Sequence, residues 1–237
     1  MVGQLVLVRE KGRFRVEEAC LGPLQVLRAV IYEPEGLKSW RFRRRLRRAE
    51  RVLAQEGVGR VVLGDGFPYG DRLALLRAVD TLPLRRECAD VLALGALAAE
   101  GASPKRGRVA LSAPRLCREL EDAAERLCPQ VRGLLIDAPG GEEYARYLQA
   151  KFGLPVTPPV AGADGTAAFG PGGGRWGRAV ELYDRGTLNG LVLKLEGVEL
   201  PADCAEQVLA LLWEQGEVRR EELSVGEDSF ISSGKTR

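Results

Sequence analysis

The chain has 237 residues, of which 45% are hydrophobic and 29% are charged, and its formal net charge is +2 at pH 7. This length and composition are typical of a globular protein and argue against extensive disorder. The sequence contains no histidine, which excludes Ser-His-Asp and Cys-His catalysis and removes the commonest metal ligand. An enzyme made from this chain would have to use carboxylates, lysine, tyrosine, cysteine or a bound cofactor.

The five cysteines are scattered along the chain and form no C-x-x-C motif. This pattern predicts neither a zinc site nor a disulfide framework, and it favours a reducing compartment. The longest apolar stretch, residues 91–99, is too short to cross a bilayer, which needs about 20 residues. We therefore expect a cytoplasmic protein with no metal site and no membrane partner.

The first elements along the chain are three short runs rich in Val, Leu and Ile. They occupy residues 4–9, 13–18 and 25–32 and are separated by turn residues, so the sequence predicts an antiparallel meander. After Gly36 the period changes. Apolar residues then recur at helical spacing, which predicts an amphipathic helix that buries Phe42, Leu46, Ala49 and Leu53 and ends at Gly57.

Strands and helices alternate beyond Gly57, which predicts a Rossmann-like α/β fold with a mainly parallel sheet and crossover helices. The very apolar segment from Cys88 to Ala99 is expected to be buried on more than one side. After residue 154 the composition shifts to Pro and Gly, and a C-terminal hairpin and helix follow. The predicted elements are strands 60–63, 108–111 and 133–136, helices 71–78, 84–100, 114–127 and 142–152, the hairpin 179–183 with 190–195, and helix 202–215.

We expect one α/β domain over residues 1–225. Its parts are the strand meander at 1–36, the strand-helix core at 37–160, and the glycine-rich loop, hairpin and helix at 161–225. Residues 226–237 are polar and are predicted to be a disordered tail.

The best candidate site lies in the loops that follow the predicted parallel strands, because ligands of open α/β sheets bind at the carboxyl ends of the strands. Ser112 and Asp137 both precede Ala-Pro, and we expect them to lie at adjacent strand ends and to start the following helices. The same residues also suit ordinary helix caps and tight turns. The predicted ligand-binding residues are Gly64, Asp65, Gly66, Ser112, Arg115, Asp137, Gly140 and Gly141.

Two further features of the chain suggest other chemistry. Asp65 and Asp137 could form a carboxylate pair in a histidine-free enzyme if one of them is protonated. The run Gly170–Gly174 lacks the lysine and serine of a phosphate-binding loop, so it is predicted to be a mobile surface loop, with closure over an anion as the alternative.

The strongest local bias is basic: eight of the fourteen residues from Lys38 to Arg51 are Lys or Arg, and one is acidic. Such a helix predicts a patch for nucleic acid or another acidic partner, with Trp40 able to stack on a base. Alternatively, the charge is solvated or is neutralised by the acidic stretch 196–228. The predicted patch residues are Arg41, Arg44, Arg47 and Arg48.

These patterns favour a binding or regulatory protein that takes a small anionic or nucleotide-like ligand at the strand ends. The alternatives are an interaction protein that uses the arginine-rich helix and a carboxylate-dependent enzyme. No pattern in the sequence identifies a cofactor, an oligomeric state or a reaction.

Overall fold

The computed structural model describes residues 1–33, 39–64, 67–153, 162–186 and 188–227. Contacts between Cα atoms divide the chain into two compact units. Unit 1 comprises residues 1–80 and 197–218, and unit 2 comprises residues 81–196 and 219–237. The chain is an α/β protein, as the alternation of strands and helices predicts.

Unit 1 is built on a mixed five-stranded sheet. Its strands are β1 (Val2–Val8), β2 (Arg15–Leu21), β3 (Leu24–Tyr32), β4 (Arg60–Leu63) and β5 (Arg77–Ala78). They lie in the order β2-β3-β1-β4-β5, and only β2 runs antiparallel to its neighbour. Helix α1 (Ser39–Gln55) connects β3 to β4, and helix α6 (Ala205–Glu214) returns to this unit from the C-terminal part of the chain.

The predicted antiparallel meander is only partly correct. Strands β2 and β3 form an antiparallel pair through a turn at Gly22, whose φ of +59° favours glycine. Strand β1, however, pairs in parallel with β3 on one side and with β4 on the other. The physical reason is burial, because the apolar β1 gains two neighbouring strands at the centre of the sheet and would have only one at the edge of a meander.

Helix α1 covers the sheet of unit 1 with the apolar stripe predicted from its sequence. Phe42, Leu46, Ala49 and Leu53 are at most 2% exposed and pack with Leu5 and other residues of the sheet in one core cluster. The prediction of a helix at 71–78 is wrong. This segment forms a short 3-10 turn at Gly70–Arg72 and then the strand β5, which pairs with β4 in the parallel sheet.

Unit 2 is built on a parallel four-stranded sheet. Its strands are β6 (Arg108–Ser112), β7 (Gly133–Asp137), β8 (Gly165–Ala168) and β9 (Arg178–Glu181), in the order β7-β6-β8-β9. The helices of this unit are α2 (Leu82–Glu87), α3 (Ala89–Ala99), α4 (Arg118–Leu127) and α5 (Gly141–Phe152). Helix α3 contacts strands, α4 and the C-terminal strand pair, which confirms that the apolar helix is buried on more than one side.

The helices of unit 2 differ from the predicted ones at their starts. The predicted helix 84–100 is divided at Cys88 into α2 and α3, and the predicted helix 114–127 begins only at Arg118. Neither Ser112 nor Asp137 caps a helix, because α4 follows Cys117 and α5 follows Gly140. Both side chains instead bond to each other across the sheet edge.

The C-terminal antiparallel pair exists, but its strands are not those of the predicted hairpin. Residues 178–181 join the parallel sheet as β9, whereas β10 (Leu191–Leu195) pairs with β11 (Leu223–Glu227). Strand β11 also packs on α3, where a Cβ added at Gly95 would lie 2.4 Å from a methyl of Val225. Gly226 and Glu227, the first two residues of the predicted tail, belong to β11. Residues 228–237 lie outside the described part of the chain, so the prediction of a tail there stays a prediction.

The parallel strands of the two units share one order. Numbered along the chain within each unit, they lie as 2-1-3-4, which is β3-β1-β4-β5 in unit 1 and β7-β6-β8-β9 in unit 2. In such sheets the strand order reverses between the first and third strands, and the carboxyl ends at this point leave room for a ligand. Across the described residues, no helix is long and apolar enough to span a membrane.

Candidate functional site

The carboxyl ends of β6 and β7 bring Ser112 and Asp137 together. The two residues are the last of their strands and lie opposite each other in the parallel register. The hydroxyl of Ser112, which is fully buried, donates a hydrogen bond of 3.2 Å to Oδ2 of Asp137. The predicted placement of this pair at adjacent strand ends is therefore correct.

The glycine-rich loop that follows β8 lies against this pair. The backbone N–H of Gly174 donates to Oδ2 of Asp137 at 2.6 Å. At Gly173 an added Cβ would lie 1.4 Å from Oγ of Ser112, and at Gly170 it would lie 2.3 Å from the ring of Pro114. The glycines are thus needed because the loop passes so close to the strand ends.

Thr166 and Trp176 hold the far side of the loop. The side-chain oxygen of Thr166, a fully buried residue of β8, accepts a bond of 2.9 Å from the backbone N–H of Trp176 and donates one of 2.7 Å to its carbonyl. The indole ring packs over Gly174, where an added Cβ would lie 2.1 Å from the ring. This contact holds the indole beside the sheet edge.

These elements enclose an open cavity of about 640 Å³. Asp137 is the one charged residue in its lining. Oδ2 of Asp137 is engaged by Ser112 and Gly174, while Oδ1 has no hydrogen-bond partner among the described residues. The lining consists of Ala113, Pro114, Asp137, Ala138, Pro139, Pro171, Gly172, Gly173, Gly174 and Trp176.

Four predicted ligand-binding residues of unit 2 do not line this cavity. Ser112 is fully buried and bonds to Asp137, which does line it. Arg115 is exposed on the segment before α4. Gly140 precedes α5 in the left-handed conformation, with φ +78°, and Gly141 is buried at the start of that helix, where an added Cβ would lie 2.9 Å from the carbonyl oxygen of Ile136. These two glycines therefore serve the turn from strand to helix.

Gly64 lies in unit 1, at the carboxyl end of β4. With Arg9, Phe67 and Asp203 among its neighbours, it lines a cavity of about 290 Å³ where the strand order of that sheet reverses. Asp65 and Gly66 lie outside the described residues, so the carboxylate pair of Asp65 with Asp137 stays a prediction. The single crevice predicted from all three loops also stays a prediction.

The sequence did not associate the glycine loop with the Ser112–Asp137 pair. The strand before the loop reads Gly-Thr-Ala-Ala and carries none of the large β-branched residues that mark a buried strand. Its residues are nevertheless fully buried in the sheet. The position of the glycine run in the chain is the feature that indicates a binding loop, because ligand-binding loops of parallel sheets follow the carboxyl ends of the strands.

The arginines of α1 form a second candidate site. Arg41, Arg44, Arg47 and Arg48 are exposed, as predicted, and together with Trp40 and three further arginines they line a groove of about 900 Å³. We call these seven residues the arginine face; they are Arg41, Arg43, Arg44, Arg45, Arg47, Arg48 and Arg51.

Cysteine and metal chemistry find no support in the described ranges. No group of three or more Cys, Asp or Glu side chains there is placed to hold a metal ion. Burial raises the pKa of the Cys128 thiol to about 11 and also raises the pKa of Cys117. Both thiols are therefore protonated near neutral pH and are poor nucleophiles.

Comparison with known proteins adds little to these observations. No protein-family model matches the chain, and no curated protein matches it at a significant level. Among solved structures, the chain is similar to the L-tryptophan dehydrogenase from Nostoc punctiforme, with 18% identity and a TM-score of 0.30. The match covers 61% of this chain and 44% of the dehydrogenase, so the chain spans less than half the length of that protein.

Proposed function

We propose that this protein binds a nucleotide-like ligand in the cavity at the carboxyl ends of β6, β7 and β8, and that it recognises the hydroxyl groups of the ligand. One observation carries the proposal: Asp137 lines the cavity with one oxygen fixed by Ser112 and Gly174 and the other without a partner. A carboxylate held in this way is a ready acceptor for a pair of hydroxyl donors.

The charge of the lining narrows the ligand class. The cavity is lined by one acid and by no lysine or arginine. An anionic group placed 4 Å from the Asp137 carboxylate would be repelled by about 4 kcal/mol at an effective dielectric constant of 20. The recognised part is therefore the uncharged sugar and base of a nucleotide-like ligand, and any phosphate lies away from Asp137.

The remaining lining suits an aromatic ring. Trp176 provides an indole, and prolines 114, 139 and 171 provide apolar surface on the same cavity. Stacking on an aromatic side chain contributes about 1–3 kcal/mol per base. A nucleoside can thus use the acid for its ribose and the apolar surface for its base.

The direct test is calorimetric titration of the protein with adenosine, guanosine, cytidine and uridine, and then with their 5′-monophosphates. We expect at least one nucleoside to bind, and its monophosphate to bind no more than about tenfold more tightly, which is a gain of about 1.4 kcal/mol. Absence of binding for all four nucleosides contradicts the proposal. A monophosphate that binds far more tightly would show instead that the phosphate is the recognised group.

Substitution Asp137→Asn should weaken nucleoside binding by about 10- to 100-fold, because hydrogen bonds to a charged group contribute about 1.5–3 kcal/mol. The matched control is Asp122→Asn, which makes the same change on the exposed face of α4, where Asp122 pairs with Arg118 at 3.6 Å. The affinity of the Asp122→Asn variant for the nucleoside should equal that of the unmodified protein. Equal affinities for all three proteins would show that the ligand lies elsewhere.

Asp137 also accepts a hydrogen bond from Gly174, so its substitution could weaken binding by moving the glycine loop. A second variant distinguishes this effect from the loss of a direct contact with the ligand. Trp176→Leu keeps the acid and its bonds but removes the aromatic surface. It should lower nucleoside affinity by about 1–3 kcal/mol with little change for ribose alone. A common loss for ribose and nucleoside would indicate that the loop has moved.

A further inference from the structure

The arginine face concentrates seven positive charges that no nearby acid neutralises within the described ranges. Helix α1 contains seven arginines and no lysine, and its one acid, Glu50, is fully buried. Within the described ranges, none of the seven arginines forms an ion pair. Arg45 donates to the carbonyl of Tyr32, and Arg48 lies over the ring of Phe14 at 5.2 Å.

Within unit 1, no ion pair joins an acid of the described residues 197–218 to this face. Glu214 pairs with Arg60 in unit 1. In unit 2, Glu227 pairs with Arg178, and Glu221 pairs with Arg220. The hypothesis that residues 196–228 pair with the arginine-rich helix therefore finds no ion pair within the described part of unit 1.

The arginines occupy the side of the helix opposite its apolar stripe. At 100° per residue, Arg44 and Arg51 point almost directly away from Leu46 and Leu53, and Arg47 and Arg48 flank that line. The distance along the helix from Arg41 to Arg51 is about 15 Å at 1.5 Å per residue. A duplex presents about nine phosphate charges over that length, at one per 1.7 Å.

The composition of the face selects among anionic partners. A helix that lies on a membrane inserts its apolar side, but Phe42, Leu46, Ala49 and Leu53 are buried in the core of unit 1. A stable protein interface has an apolar centre, and Trp40, 56% exposed, is the one large hydrophobic residue exposed in the described part of α1. What remains is a linear array of guanidinium groups, whose planar donors match phosphate oxygens.

We infer that the arginine face binds the phosphate backbone of nucleic acid without reading its sequence. This inference is independent of the cavity at the strand ends, since it uses α1 alone. Trp40 lies at the N-terminal end of the face, with Arg41 over its ring at 5.3 Å. It can stack on an unpaired base where one is present.

The test is the salt dependence of binding, measured by fluorescence anisotropy with a labelled 20-base-pair DNA duplex of arbitrary sequence and with one of its single strands. If three to five phosphates are contacted, affinity for the duplex should fall by roughly 40- to 500-fold between 50 and 200 mM NaCl. Two unrelated duplex sequences should bind equally. Affinity that does not change with salt would overturn the inference.

The decisive variant replaces Arg44, Arg47 and Arg48 together with glutamine. The slope of log K against log salt should become less steep by about two to three units, because each lost phosphate contact removes about 0.9. The melting temperature should change little, since exposed charges contribute little to stability. The Arg→Lys triple variant at the same positions keeps the charge and should keep the slope.

A matched control removes three exposed arginines from unit 2, namely Arg106, Arg118 and Arg132. This control lowers the net charge by the same amount and should leave the salt dependence unchanged. If the slope falls as much as in the α1 variant, the effect comes from net charge alone and the inference is overturned. If the glutamine triple variant does not fold, the three single variants take its place, and each should reduce the slope by about one unit.

The alternative partner is a membrane, which is tested by sedimentation with vesicles of 70% phosphatidylcholine and 30% phosphatidylserine. If the protein sediments with these vesicles and does not bind nucleic acid, the face binds membranes and the inference is overturned.

Discussion

We expect Asp90→Ala to lower the free energy of unfolding by about 3–5 kcal/mol, because removing the buried carboxylate of an ion pair is strongly destabilising. Asp90 on α3 is 1% exposed. It is bound by both Nε and Nη2 of Arg220, with Nε at 3.2 Å from Oδ1, and its Oδ1 lies 3.7 Å from Nη1 of Arg126. Without Asp90, both guanidinium groups lose their shared buried carboxylate. Arg126 keeps its pair with Glu87, whereas Arg220 keeps, among the described residues, only the exposed Glu221 at 3.5 Å.

This ion pair also holds the segment that leads into β11. Arg220 belongs to the short 3-10 turn Arg220–Glu222, which leads directly into β11. Urea unfolding of Asp90→Ala should be compared with that of Asp122→Ala, whose surface pair with Arg118 contributes less than about 1 kcal/mol. We also expect faster amide exchange in β11 in the Asp90 variant alone. A stability loss as small as that of the control would mean that Glu87 and Glu221 are sufficient partners for the two arginines.

The second large effect is expected at Glu50, where an alanine should cost about 3 kcal/mol. One oxygen of this fully buried carboxylate accepts the backbone N–H groups of Ala74, Leu75 and Leu76, at 2.7, 2.9 and 3.4 Å. Each buried N–H left without an acceptor costs about 1–3 kcal/mol, and those nearest the surface can bind water. The loss therefore lies between the cost of one such group and that of three.

The controls for this prediction are a second substitution at Glu50 and one at the residue that follows α1. Glu50→Gln keeps one acceptor oxygen in place and should cost less than the alanine variant. Glu56→Ala changes an exposed acid just beyond α1 and should stay within about 0.5 kcal/mol of the unmodified protein. Urea unfolding gives the energies, and amide exchange at residues 74–76 locates the effect. Unchanged protection of these amides in Glu50→Ala would contradict the assigned hydrogen bonds.

Local patterns in the sequence were enough to predict several of these features. The apolar stripe of α1 follows directly from helical periodicity, and so does the outward position of its arginines. The alignment of Ser112 with Asp137 follows from two similar strand-helix units, because neighbouring parallel strands place their carboxyl ends together.

The features that sequence analysis missed depend on contacts between distant segments. The pairing of β1 with β3 and β4 is decided by burial at the centre of the sheet, which no turn residue signals. Glu50 looks like an ordinary surface acid in an arginine-rich helix, yet its partners are 24 to 26 residues away. The composition of Gly170–Gly174 predicts a mobile surface loop, whereas the position of this loop beside Asp137 depends on the strand of small residues that precedes it.

The order in which the chain visits the two units has a consequence for its synthesis. The chain passes between them after Asp80, after Glu196 and after Val218. Unit 1 is therefore incomplete until α6 has been synthesised. Gln207 of this helix binds both the backbone N–H and the carbonyl of Leu63 in β4, at 2.9 and 2.6 Å. At about 5–20 residues per second, a ribosome needs roughly 6–23 s to add residues 81–196. During that time the nascent chain exposes the surface of β4 that α6 later covers. Strand β10, made at the end of this interval, in turn lacks its partner until β11 has been added.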